Sequence, residues 1–222
     1  MLPKGVYVPA KVKNFPAACA HLLLSQAGPK PARALDLGCA VGRASFELAR
    51  RVPEVVGVDY SRSFIRVARK LQRTGQVTYP LRLEGSLRQP SVAKVPKGVD
   101  RLRVRFLTGD ALQLPRTLGS FDLVLAANLI DRLAQPARFL TKILPKLVQP
   151  GGLVLLTSPY TWSTDFTPRN RWLHDSFPMI QKLLQPHFRL LLRQDVPFLL
   201  REHRRKFQYT FADATLWQRT SS

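Results

Sequence analysis

Residues 33–43 read Arg33-Ala34-Leu35-Asp36-Leu37-Gly38-Cys39-Ala40-Val41-Gly42-Arg43, and Ala44-Ser45-Phe46-Glu47-Leu48-Ala49 follows. An apolar run ending in an acidic residue, a glycine-bearing turn and a helix-like segment predict a strand, a tight loop and a helix start. Glycine at 38 and 42 permits positive φ and the close approach of a ligand. The new helix turns its free N–H groups and its dipole toward that ligand, which suits an anionic group. The stretch Glu54-Val55-Val56-Gly57-Val58-Asp59 reads as a second short apolar strand ending in Asp59, 21 residues after Gly38. Its terminal carboxylate is placed to bind the two ribose hydroxyls of a nucleoside. The loop is G-x-x-x-G and not the dinucleotide-binding G-x-G-x-x-G, because there is no third glycine.

Asp36-Leu37-Gly38-Cys39-x-x-Gly42 resembles the first motif of the class I S-adenosylmethionine-dependent methyltransferases, where glycine is usual at the position of Ala40. Another nucleotide-binding α/β protein is the plainer alternative. The resemblance implies an α/β, Rossmann-like fold with a seven-stranded, mostly parallel sheet and an antiparallel last strand. It also implies S-adenosyl-L-methionine as cofactor, held by Asp36, Gly38, Cys39, Ala40, Gly42, Asp59 and Tyr60.

A chain of 222 residues, 45% hydrophobic, suits one α/β domain spanning 1–222. No apolar run has the length of a membrane span. Met1-Leu2-Pro3-Lys4-Gly5-Val6 lacks the apolar core of a secretory signal, so the cytoplasm is the expected location. Cys19 and Cys39 match no metal spacing, and no His/Cys/carboxylate cluster does, so no metal is expected. A small, half-buried thiol is the expected role of Cys39. The net charge of +21 is the strongest hint of a second function, with nucleic acid or an anionic substrate as the partner it suggests.

Asn14-Phe15-Pro16 opens a helix, with Asn14 as cap and proline in the first turn; the helix runs to Gly28, and the 1–30 region is expected to lie over the cofactor. His21 reads as a structural helix residue. Ser61 caps a further helix whose apolar face is Phe64, Ile65, Ala68 and Leu71. Its opposite face carries Arg62, Arg66, Arg69, Lys70 and Arg73. Such a face is ordinarily just solvated, and it is also the best single candidate for contacting phosphates. Residues 75–100, rich in proline and glycine, read as an insertion or lid with a hairpin around Thr78 to Leu87. A strand over 101–107 ends at Thr108-Gly109-Asp110-Ala111, where this fold commonly binds the adenine amino group, so Asp110 and Ala111 join the cofactor residues. Phe121 to Asn128 and Leu153 to Ser158 are the fourth and fifth strands, with an amphipathic helix reaching Leu147 between them. A helix near Phe177 to Leu184 and strands over Phe188 to Leu192 and Phe207 to Trp217 close the chain.

A narrower resemblance rests on Ala34 to Ala49, Leu125-Ala126-Ala127-Asn128-Leu129-Ile130-Asp131-Arg132-Leu133, Leu156-Thr157-Ser158-Pro159-Tyr160-Thr161-Trp162, Phe166-Thr167-Pro168-Arg169 and Asp195-Val196-Pro197-Phe198. Together these are similar to the methyltransferase domain of ovothiol biosynthesis. There it is often the C-terminal part of a protein that also carries an iron-dependent sulfoxide synthase joining cysteine to histidine. The resemblance implies N-methylation of the imidazole ring of 4-mercaptohistidine (5-thiohistidine), with a separate synthase as the partner supplying it.

Ligands of this fold bind at the carboxyl ends of the strands. That nominates Asn128 and Asp131 to hydrogen-bond the ring, and Tyr160 and Trp162 to stack on it and surround the sulfonium. Asn128 also belongs with the cofactor residues. Arg169 or Arg201 would suit a substrate carboxylate. The competing readings are an RNA-directed or other small-molecule methyltransferase, and a non-catalytic cofactor-binding partner of a synthase. The segment Asn128-Leu129-Ile130-Asp131 is not the Asn/Asp-Pro-Pro-aromatic of enzymes that methylate exocyclic amines of bases.

Overall fold

The computed structural model describes residue 12 and residues 14–221, so the reading of Met1 to Val6 lies outside the described residues. In chain order the strands are β1 (Arg33–Leu37), β2 (Glu54–Asp59), β3 (Gln76–Glu84), β4 (Leu87–Lys94), β5 (Val104–Thr108), β6 (Phe121–Ala127), β7 (Val148–Ser158), β8 (Phe188–His203) and β9 (Lys206–Arg219). Seven of them build one sheet in the order β5-β2-β1-β6-β7-β9-β8, while β3 and β4 pair only with each other. From β5 to β7 neighbours are parallel, and β9 is antiparallel to both β7 and β8. This is a Rossmann-like, mostly parallel seven-stranded sheet with an antiparallel last strand, the arrangement the resemblance implies. β1, β2 and β6 are covered on both faces, which is why their sequences are almost unbroken apolar runs.

The helices α1 (Phe15–Gln26), α2 (Arg43–Leu48) and α3 (Arg62–Thr74) cover one face. The other face is covered by the segment 136–147 and by a helix over Ser176–Leu184. The caps form as the sequence requires: Asn14 Oδ1 accepts from Ala17 N at 3.3 Å and Ser61 Oγ from Phe64 N at 3.3 Å. Glu47 ties α1 to α2. Burial pushes its carboxyl up, but hydrogen bonds from Arg50 and the His21 ring and the Arg43 and Arg50 cations outweigh that and hold it below the usual carboxylate range. β5 is an edge strand whose outward carbonyls would otherwise be unpaired. Arg69 donates to Phe106 O at 3.1 and 2.9 Å, and Gln72 Nε2 donates to Val104 O, so α3 closes that edge.

Four stretches depart from the sequence reading. Residues 101–103, read as the start of a strand, form a 3₁₀ turn before β5, capped by Asp100 Oδ1, which accepts from Leu102 N at 3.0 Å. The helix before β7 is a short α-turn (Pro136–Arg138), a π-helical turn (Phe139–Ile143) and a second α-turn (Leu144–Leu147). Pro145 explains the break, since it has no N–H to donate and its ring crowds the preceding turn. The terminal strands are far longer than expected, because β8 passes through Pro197 at the free edge of the sheet, where a missing N–H costs no ladder bond. Residues 76–94 form a full hairpin that leaves the end of α3 and meets the tip of the β8–β9 hairpin, where Arg204 N donates to Leu83 O at 3.2 Å.

Candidate functional site

The strand order reverses between β1 and β6, and a cavity of about 650 Å³ opens there at the carboxyl ends of β1, β2, β5 and β6. Its floor is the loop after β1. Gly38 N and Cys39 N both donate to Val58 O, at 2.8 and 3.1 Å, which ties the loop to β2. Asp59 then gathers three elements: its Oδ2 accepts from Ala40 N at 2.9 Å, its Oδ1 from Ser61 N at 2.8 Å, and its backbone carbonyl from Gly109 N at 3.0 Å. Each carboxylate oxygen keeps an acceptor direction for a further donor. Gly42 has φ +90, and a Cβ there would overlap the Phe106 ring, so glycine is required at that point by both backbone and packing.

Of the residues read as cofactor-binding, Gly38, Ala40, Asp59, Tyr60, Asp110, Ala111 and Asn128 border this cavity. Asp110 Oδ1 also accepts from Leu112 N at 2.8 Å, the turn-capping role compatible with facing a ligand. Asp36, Cys39 and Gly42 do not border it. Asp36 and Cys39 are buried beneath the loop, and Gly42 begins α2. Apolar side chains of Phe64, Leu112 and Leu129 complete walls suited to an adenine ring, so the carboxylate acceptors of Asp59 and Asp110 and the apolar surface together fit a nucleoside.

The residues read as acceptor-side fare differently. Asn128 is in the cavity wall at φ +51, its Oδ1 taken by the Thr157 hydroxyl at 2.9 Å, which leaves its N–H₂ to donate. Asp131 does not face the cavity. It is fully buried and its Oδ2 accepts from Thr161 N and Thr161 Oγ1, both at 3.1 Å. Tyr160 and Trp162 are half-buried struts outside the cavity lining: Tyr160 OH donates to Asp213 Oδ2 at 2.8 Å and Trp162 Nε1 to Ser176 Oγ at 3.1 Å. Burial and the Asp213 carboxylate push the Tyr160 phenol well above its ordinary value, which removes it as a base. Arg169 lies over the Trp172 ring and Arg201 over the Phe207 ring at the hairpin tip, so neither meets the cavity. The arginine that does is Arg132, beside Asp165 and under Phe166, with its guanidinium 5.1 Å from the Phe166 ring centre. Its position directly after Asp131 at a strand end was the available signal. The 75–100 hairpin and α1 do not border the cavity either; α1 lines a separate cleft with Arg43 and β8. No group of three or more His, Cys, Asp or Glu converges among the described residues. No helix is long and apolar enough to cross a membrane.

Two consequences are measurable. Ala40 sits at φ +47, a left-handed conformation that costs an L-residue about 1–2 kcal/mol. Glycine would remove that strain but add roughly 0.4–1 kcal/mol of unfolded-chain entropy. Ala40→Gly is therefore expected to leave stability unchanged or up to about 1.5 kcal/mol higher, measured by urea unfolding; a marked loss would contradict a strained Ala40. Secondly, burial pushes the Asp36 carboxyl up to about 6, although the Ser45 hydroxyl donates to it at 2.6 Å. An acid with a raised folded pKa holds extra protons in the native state between the unfolded value near 4 and about 6. Its contribution to stability is largest below that window and is lost as pH rises through it. Asp36→Asn is expected to remove that decline and to melt higher than the parent above pH 6. Identical melting curves for both proteins across the window would refute it.

Comparison with known proteins agrees with this geometry. Residues 35–156, more than half of the chain, match the family model described as a methyltransferase domain. The norajmaline N-methyltransferase of Rauvolfia serpentina is 24% identical over 71% of this chain and 50% of its own length. The ubiquinone biosynthesis O-methyltransferase of Rhizobium etli is 28% identical over 76% of this chain and 62% of its own. The chain thus spans roughly half the length of these curated relatives. Among solved structures, the N-methyltransferase NodS of Bradyrhizobium japonicum in complex with S-adenosyl-L-homocysteine shares the fold, with a TM-score of 0.59 and 15% identity over 93% of this chain and 86% of that one.

Proposed function

The chain belongs to the methyltransferase-domain family of class I S-adenosylmethionine-dependent enzymes, and from that footing we propose that it methylates a ring nitrogen of 4-mercaptohistidine. The observation that carries the choice of acceptor is a convergence. The stretches that resemble the ovothiol enzymes around 125–133, 156–162 and 166–169 interlock at the cavity mouth. Arg132 Nη1 donates to Thr161 O at 2.7 Å, Asp131 accepts from Thr161, and Thr167 Oγ1 donates to Leu133 O at 2.8 Å.

In this reading Asp59 holds the ribose hydroxyls, Asp110 the adenine amino group, and the Gly38–Gly42 loop the rest of the cofactor. When bound, the cofactor supplies an electrophilic methyl group on a positively charged sulfur. The protein has to hold the acceptor in line and keep water out; no covalent intermediate is needed. Asn128 can donate to the thioimidazole, and Arg132 retains donors for an amino-acid carboxylate at the mouth. A thiol-bearing imidazole is available unprotonated near neutral pH, so no strong base is required. A sulfoxide synthase acting upstream would supply the acceptor.

The test is mass spectrometry after incubation with labelled cofactor and each candidate acceptor. Label on the ring of 4-mercaptohistidine is expected, with added RNA neither consumed nor inhibitory at physiological salt. Label in RNA and none in mercaptohistidine would overturn the reading.

A further inference from the structure

Much of the cationic excess of this chain is concentrated in one stretch that holds few carboxylates to neutralise it. Residues 61–107 contain twelve lysines and arginines and two acidic residues, Glu84 and Asp100. Asp100 is already engaged by Arg103 at 3.4 Å. On α3, Arg62, Arg66, Lys70 and Arg73 are exposed, and none of them has a carboxylate partner among the described residues. Successive cations lie about 5–6 Å apart along one helix face, a spacing at which like charges repel. Arg69, read as part of this face, is instead spent on Phe106 O; it and Gln72 hold α3 along β5 and bring the exposed Arg103 and Arg105 beside it.

The β3–β4 hairpin extends this surface from the end of α3. Arg82 stands directly across from Arg88, and Lys94 shares their face. Like charges directly opposite are destabilising in an antiparallel pair. The ribbon is mostly exposed, and a two-stranded hairpin is marginal alone. Repulsion of this kind on both elements is relieved by an anion that spans them.

We propose that the outer face of α3, the edge of β5 and the outer face of the β3–β4 hairpin form one surface that binds the phosphate backbone of a nucleic acid, independently of methyl transfer. Arginine forks suit phosphate oxygens. The apolar side of α3 (Ile65, Ala68 and Leu71) is buried in the core, so α3 cannot lie in an anionic bilayer as an amphipathic helix; the exposed Leu87, Val92 and Leu102 on the same surface make vesicle binding the outcome to test against.

The test uses a short fluorescent single-stranded RNA and two variants of equal charge. One carries Arg62→Gln, Arg66→Gln, Lys70→Gln and Arg73→Gln. The other carries Lys142→Gln, Lys146→Gln, Lys182→Gln and Arg189→Gln, which are exposed on the opposite face of the sheet or at its far edge. Calorimetric binding of S-adenosylmethionine serves as the check that both remain folded. The first variant is expected to lose on the order of tenfold or more in RNA affinity at physiological salt, with a salt slope shallower by roughly three. The second should stay close to the parent. Equal losses in both variants would reduce the effect to net charge and overturn the proposal. So would absence of RNA binding by the parent at physiological salt, or binding to anionic vesicles in place of RNA.

Discussion

Asp59→Ala is expected to weaken S-adenosylmethionine binding by tenfold or more while the fold survives. The carboxylate ends β2 at the cavity wall, where charge-assisted bonds to two ribose hydroxyls would each contribute about 1.5–3 kcal/mol. A tenfold loss is about 1.4 kcal/mol, so even one bond accounts for it. The structure adds a second route to the same loss. Asp59 also accepts from Ala40 N and Ser61 N, so its removal frees the loop after β1 and the start of α3 together. Neither bond lies in the hydrophobic core, which is why unfolding should shift little. Titration calorimetry reads the affinity and thermal melting reads the fold. Unchanged affinity in a folded variant would sink the assignment.

How much of this site could be read beforehand depended on the kind of position. Gly38, Asp59 and Asp110 stand at or just after the ends of parallel strands, and a strand end fixes both where a side chain is and which way it points. The alternation and apolar runs that mark strands β1, β2 and β6 are local, and the sequence carried them. The acceptor side was not local. Whether Asp131 faces the cavity or folds beneath it is settled by Thr161, thirty residues later. Tyr160 is likewise turned away by Asp213 on β9, a partner no spacing rule could supply. Arg169 and Arg201 were nominated by residue type alone, and rings near them in space took their guanidinium groups. The lengths of β8 and β9 were missed for a related reason: their pairing is tertiary and overrides the prolines and charges within them.

That same placement makes Asp131 a positioning residue, and its replacement should cost more activity than any other acceptor-side change. Its buried carboxylate joins the segment after β6 to the segment after β7 through Thr161 N and Thr161 Oγ1. Asn128 and Tyr160, at φ +51 and +54, hold strained conformations at the two strand ends that this clasp connects. Asp131→Ala would leave Thr161 N without its acceptor and release both ends. Methyl transfer tolerates little misalignment, so kcat is expected to fall on the order of 100-fold. Binding of S-adenosylmethionine should change little, because Asp59 and the loop after β1 are not part of the clasp. Asp131→Asn keeps an oxygen for Thr161 and should recover most of the activity with an unaltered pH profile. A general base would behave otherwise, since asparagine cannot take a proton and would be as inactive as alanine. Equal inactivity of the two variants, together with loss of the acid limb of the pH–rate profile, would show that Asp131 acts on the proton and not on the geometry.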